Sequence, residues 1–199
     1  MISCYRLGDL VTFGLGEETQ NEILSEYPNS IASKYILEKR NNNCCSNIDL
    51  ITKIVMEHIL QNSEFLPENI TDSTVIHLRL GDVVAGNQWH EVLKRPLEVD
   101  YLKSLVSNDT NPKYVIGKCF FAVPSSTNYE ECIQKSNEYL DKVVHELNAE
   151  YFNSGNADID LCCGVTSKLF IQGRGFFSKL IVDIRKKLNL KSIESAPHD

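Results

Sequence analysis

The chain has 199 residues, is 42% hydrophobic and 24% charged, and carries a formal net charge of −7. Those values describe a globular protein long enough to bury a sizeable core, and an acidic balance without a basic block excludes wholesale nucleic-acid binding. No segment approaches the roughly 20 apolar residues of a membrane span, the start has no apolar stretch resembling a signal peptide, and seven cysteines, an odd number with two adjacent pairs, suit a reducing cytoplasm better than a disulfide framework.

Glycines at 8, 14 and 16 punctuate the start. A helix is expected over 17–27, and Pro28-Asn29-Ser30 interrupts it, with Ser30 placed to cap a short second helix to 37. After the polar turn 41–47, Ile48, Ile51, Val55, Ile59 and Leu60 recur at helical spacing and predict a core-facing stripe. Residues 63–73 read as a linker. The pattern then changes to a short apolar strand over 74–80, broken by Gly81-Asp82. A long loop over 84–96 leads to a helix over 99–106.

A second strand is expected over 114–123, followed by an amphipathic helix over 129–149 whose stripe includes Cys132, Ile133, Tyr139, Leu140, Val143 and Leu147. A helix over 159–165, a strand over 168–172 and a helix over 176–188 complete the pattern, and residues beyond 193 read as a tail. Strands alternating with helices predict parallel βαβ units, an α/β protein whose ligands bind at the carboxyl ends of the strands.

Two constellations leave such strand ends. In His77-Leu78-Arg79-Leu80-Gly81-Asp82, His77 and Arg79 stand two apart and so share a strand face. An arginine there can hold a diphosphate through a forked, charge-assisted contact; the bland alternative is a structural ion pair with Asp82, and for His77 a satisfied buried histidine. In Gly173-Arg174-Gly175-Phe176-Phe177-Ser178 a strand ends, small residues turn, and a helix begins near Ser178. Free N–H groups and the helix dipole favour an anion, the glycines let it approach, and Ser178 can donate a hydroxyl. An ordinary βα turn with a capping serine is the competing reading.

Asp158 is a candidate helix cap, or an acid that binds a ribose or base donor. Cys162-Cys163 lacks metal-ligand spacing, so no metal site is expected. Trp89, His90 and Glu91 lie in the long loop and are candidates for contact with a sugar or acceptor.

The stretch from Val75 to Asp82 resembles the His-x-Arg-x-x-Asp signature of the fucosyltransferase superfamily, which includes α1,2-, α1,6- and protein O-fucosyltransferases. Residues 158–188 resemble that superfamily's last block: an acid, an apolar strand, a small-residue turn with Ser, then a helix. Arg6-Leu7-Gly8-Asp9-Leu10-Val11 is similar to its N-terminal acceptor-side loop, and echoes Arg79-Leu80-Gly81-Asp82-Val83-Val84 within the chain.

The resemblance implies a Rossmann-like parallel sheet of GT-B type with a reduced N-terminal part. It divides the chain into an N-terminal helical, acceptor-side part over 1–72, a sugar-nucleotide-binding domain over 73–193 and a tail over 194–199. It implies fucose transfer from GDP-fucose to a glycan or glycoprotein hydroxyl without cofactor or essential metal. Arg79 would bind the diphosphate with His77 and Asp82 supporting it, and Gly173, Arg174, Gly175 and Ser178 would hold phosphate. Arg6, Asp9, Trp89 and His90 would face the acceptor, with Asp9, Asp82, His90 and Glu91 as candidates for the base. The rival expectation is a non-catalytic nucleotide-sugar or glycan-binding domain.

Overall fold

The structure, a computed structural model, describes residues 16–42, 47–81, 83–84, 96–120 and 129–195. Three helices come first: α1 (Glu17–Glu26), α2 (Ile31–Asn42) and α3 (Ile48–Gln61). Ser30 caps α2 as its sequence position predicts, its Oγ accepting from Ser33 N at 3.0 Å. Asn47 does the same for α3, accepting from Leu50 N. The stripe of α3 faces inward through Ile51, Val55 and Ile59, whereas Leu60 stands out in solvent.

The sheet elements follow. Strand β1 is Thr74–His77 and β2 is Leu80–Gly81; helix α4 is Val99–Val106; β3 is Lys113–Ile116 and β4 is Cys119–Phe120; helix α5 is Tyr129–Leu147. The chain continues through β5 (Glu150–Tyr151), α6 (Ala157–Thr166), β6 (Leu169–Ile171), α7 (Phe176–Lys187) and β7 (Ser192–Ile193). Five strands pair in the order β5-β3-β1-β6-β7, and every pairing is parallel. The fold is therefore α/β with a parallel sheet, as the alternation of elements predicts. The edge strands β5 and β7 escaped the sequence reading, which placed no strand at 150–151 or 192–193.

The alternating faces of the sheet feed two cores. Val75, Ile116 and Phe170 pack in one cluster with Ile23, Tyr35, Val55, Leu161 and Ile181. Ile76, Val115 and Ile171 point the other way, into a cluster with Leu102, Leu140 and Val143 from α4 and α5. Strands buried on both faces read as unbroken apolar runs. The N-terminal helices thus share one core with α6 and α7 and cover a face of the sheet. Of the α5 stripe, Cys132, Leu140, Val143 and Leu147 are buried, whereas Ile133 is exposed.

Among the described residues, Arg185 is the largest fully buried side chain. Its Nη1 donates to the carbonyls of Gly164, Val165 and Ser167 at 3.0, 2.8 and 2.7 Å. Its Nη2 donates to the carbonyls of Lys168 and Lys191, and its Nε to the Ser192 hydroxyl. One guanidinium therefore satisfies the open carbonyl end of α6 and ties it to the approaches of β6 and β7. Burial draws its pKa down to about 10, still far enough up to keep the charge. No helix among the described residues is long and apolar enough to cross a membrane.

Candidate functional site

The strand order locates a crevice. From β1 the chain moves outward to β3 and β5, then returns to the other side of β1 for β6 and β7. The connections after β1 and β6 therefore leave in opposite directions, and in open α/β sheets ligands bind at the carboxyl ends of strands where this happens. The two constellations singled out in the sequence follow these two strands.

The central strand is shorter than its apolar run suggests. The expected strand over 74–80 ends at His77, and the one over 114–123 ends its first ladder at Ile116. Gly117 explains both breaks. It takes φ +141° and passes so close to the neighbouring strand that a Cβ would stand 2.1 Å from the Leu78 carbonyl oxygen. Pairing resumes as a separate ladder, Leu80 with Cys119 and Gly81 with Phe120. Gly81 N donates to the buried Ser136 hydroxyl of α5 at 2.8 Å, which pins that second ladder. Arg79 falls in the gap between the ladders, half-buried, and its side chain leaves the sheet toward α7.

The turn after β6 presses against the same gap. A Cβ on Gly173 would stand 2.2 Å from the His77 carbonyl oxygen and 2.4 Å from its Nδ1, so only glycine fits. Gly175, at φ +96°, is the residue before α7, and a Cβ there would lie 3.1 Å from Arg79 Nη1, 3.5 Å from Cδ and 3.8 Å from Cζ. The guanidinium of Arg79 thus lies along the backbone that opens α7. Among the described residues no side chain caps that helix, so its first-turn N–H groups keep their donor capacity. They add their partial positive charge to that of the guanidinium.

His77, Arg79, Gly173, Arg174, Leu97 and Tyr139 line a cavity of about 10 Å³, roughly the space of one water-sized centre. His77 is 7% exposed and its ring packs against Phe177 with centroids 5.2 Å apart. Burial, and then the charge of Arg79, lower its pKa to about 4, so the imidazole is neutral at pH 7. Its buried Nδ1 has no hydrogen-bond partner among the described residues. Such a group seeks a partner. Tyr139, on α5, donates to the Leu97 carbonyl at 2.6 Å. Burial pushes its pKa up, so the hydroxyl stays protonated, and burial lowers that of Arg174 beside it.

Several sequence expectations are corrected here. The helix expected over 176–188 is α7, Phe176–Lys187, and it opens two residues before Ser178. Ser178 is fully buried, and its Oγ sits 2.8 Å from the Gly173 carbonyl and 3.2 Å from that of Gly175. Its single proton braces the turn. Asp158 does not cap α6; Asn156 does, its Oδ1 accepting from Asp158 N at 2.9 Å. Asp158 is buried on α6, apart from the lining of the cavity, and its charge works on His58 of α3 by raising a pKa that burial lowers. Arg6, Asp9, Asp82, Trp89, His90 and Glu91 lie outside the described residues.

The structure therefore brings together His77, Arg79, Gly173, Arg174 and Gly175. It adds Tyr139, which the sequence reading placed only in a core stripe. The available signal was a phenol at a buried stripe position, since a buried tyrosine hydroxyl needs a partner. Among the described residues, no group of three or more His, Cys, Asp or Glu side chains is placed to hold a metal ion.

No protein-family model matches the chain, and no curated protein does. Among solved structures it is similar to POFUT1 in complex with GDP, with a TM-score of 0.43 and 12% identity over 75% of this chain and 46% of that one. The apo form of POFUT1 gives 0.44 and 12% over 72% and 48%, and the complex with GDP-fucose gives 0.37 and 13% over 76% and 46%. The chain spans about half the length of these structures, and its α/β class rests on the strand order described above.

Proposed function

We propose that the chain is a glycosyltransferase of fucosyltransferase-like, GT-B type that takes a GDP-sugar, GDP-fucose first among them, and passes the sugar to a hydroxyl of a glycan or glycoprotein. The observation that carries this reading is the Arg79 guanidinium lying on the Gly175 backbone at the open end of α7. Two sources of positive charge meet at one strand-end crevice in a chain of net charge −7.

In this reading the diphosphate sits against Arg79 and the first-turn N–H groups, with Arg174 flanking it. The acceptor oxygen forms a bond to the anomeric carbon while the bond from that carbon to the phosphate oxygen breaks. The electron pair leaves with the diphosphate, and the hydroxyl proton passes to a base, for which Asp9, Asp82, His90 and Glu91 are the candidates. Arg79 and the helix end hold fixed positive charge where negative charge develops, which lowers the barrier without reorganisation. That supply of charge is why the reading needs no essential metal. Neutral His77 offers a ring N–H without adding charge.

One observation favours the rival, a binding domain without turnover. Leu80 is buried in β2, so this strand tip presents one guanidinium where many fucosyltransferases place two. Titration calorimetry with GDP and GDP-fucose, followed by assay of GDP release, separates the cases. Arg79→Ala is expected to weaken GDP binding by about 10- to 100-fold, the loss of one to two charge-assisted hydrogen bonds. Binding without release of GDP in the presence of acceptor supports the rival, and an unchanged affinity in Arg79→Ala rejects both.

A further inference from the structure

Phe176 is 84% exposed, the most exposed of the large apolar side chains described. A lone exposed phenylalanine is ordinary on a protein surface. This one stands at the first position of α7, one peptide from Gly175, hence about 3.8 Å away between Cα atoms. Its neighbour Phe177 turns inward onto His77, so the helix opening has one ring packed under the crevice and one ring outside it. The cavity lined by the described residues is small, about 10 Å³. Among the described residues, the Phe176 ring is an exposed apolar surface on the first turn of α7, next to the Gly175 backbone that Arg79 approaches. His77 lines the same cavity, and its buried Nδ1, beside Gly173, has no hydrogen-bond partner among the described residues, an independent sign that a ligand belongs there.

We propose that Phe176 is the platform on which the base of a nucleoside diphosphate stacks, and that it selects nucleotides over other diphosphates at this site. The inference rests on the diphosphate reading of the Arg79–Gly175 crevice. A flat π-face carried one ribose away from a diphosphate matches an exposed ring carried one residue away from a phosphate-binding backbone. Stacking is tolerant of base identity, so the ring would favour nucleoside diphosphates as a class, and the guanine preference would be set elsewhere.

The test is calorimetry on wild type, Phe176→Ala and Phe176→Trp with GDP, GDP-fucose and inorganic pyrophosphate. Because the side chain is exposed, both variants should keep the thermal midpoint of the wild type. Phe176→Ala should weaken GDP and GDP-fucose alike by roughly 5- to 100-fold and leave pyrophosphate within about twofold, and Phe176→Trp should restore GDP. Equal weakening of GDP and pyrophosphate, or no change in either, overturns the stacking role while the crevice stands. Weakening of GDP-fucose alone also overturns it, since the ring would then face the sugar. If pyrophosphate and GDP both fail to bind the wild type, the crevice reading falls and this inference falls with it.

Discussion

Arg79 Nη1 lies 3.1 Å from the point where a Cβ would stand on Gly175. A side chain from the tip of the central strand therefore rests on the backbone that opens the last long helix, and a missing methyl group is what permits the contact. Arg79 is half-buried there.

Gly175→Ala tests that contact against a built-in control. Gly155 also has a positive φ, +72°, but a Cβ there meets nothing within 4 Å. Each substitution should cost about 1–3 kcal/mol of stability for placing an L side chain at positive φ, with Gly175, at φ +96° and ψ 171°, toward the upper end. Only Gly175→Ala should also weaken GDP binding, by several-fold, because its methyl group displaces Arg79. Urea denaturation and calorimetry on both variants check this; equal GDP affinities in the two would mean that the contact does not position the guanidinium.

The pH dependence of stability should carry the mark of His77. Its folded pKa, about 4, is depressed below the ordinary 6.5 by burial and then by Arg79. Between those values the unfolded chain binds a proton that the folded chain refuses, so stability is full above pH 6.5 and falls as pH drops toward 4. At pH 5 the loss from this one group is about 2 kcal/mol. Urea denaturation at pH 7 and pH 5 should show wild type losing about that much more than His77→Gln. Equal losses would mean that the imidazole is not held neutral.

Arg185 should be the most sensitive cation in the chain. Removing a buried guanidinium strands the carbonyls of Gly164, Val165, Ser167, Lys168 and Lys191, and Arg185→Ala should cost about 3–5 kcal/mol. Arg185→Lys should recover little, since an ammonium has three donors and no planar fork. Thermal denaturation of both variants measures this, and a midpoint within a few degrees of wild type for the lysine variant would show that charge alone suffices.

What was readable in the sequence came from patterns that depend on near neighbours. The predicted helix over 99–106 and the observed α4, Val99–Val106, coincide, because its apolar residues repeat at the period of the helix that buries them. Ser30 caps α2 for a reason contained within four residues. At α6 the local pattern misled, since Asp158 was the expected cap and the cap lies two residues earlier, at Asn156. Asn156 takes the role because the chain enters α6 with that residue extended, at ψ 119°.

The alternation of apolar strands with helical stripes was enough to specify the α/β class and a parallel sheet, since side-chain periodicity is a local property written residue by residue. The break of the strands at Gly117 was not, because what forbids a side chain there is the carbonyl of Leu78, in the segment just past β1. Nor was the inward turn of Ser178, the burial of Arg185 in the last turn of its helix, or the approach of Arg79 to Gly175, whose residues stand far apart along the chain. Those were settled by contacts between distant segments, which exist only once the sheet has brought β1 and β6 side by side.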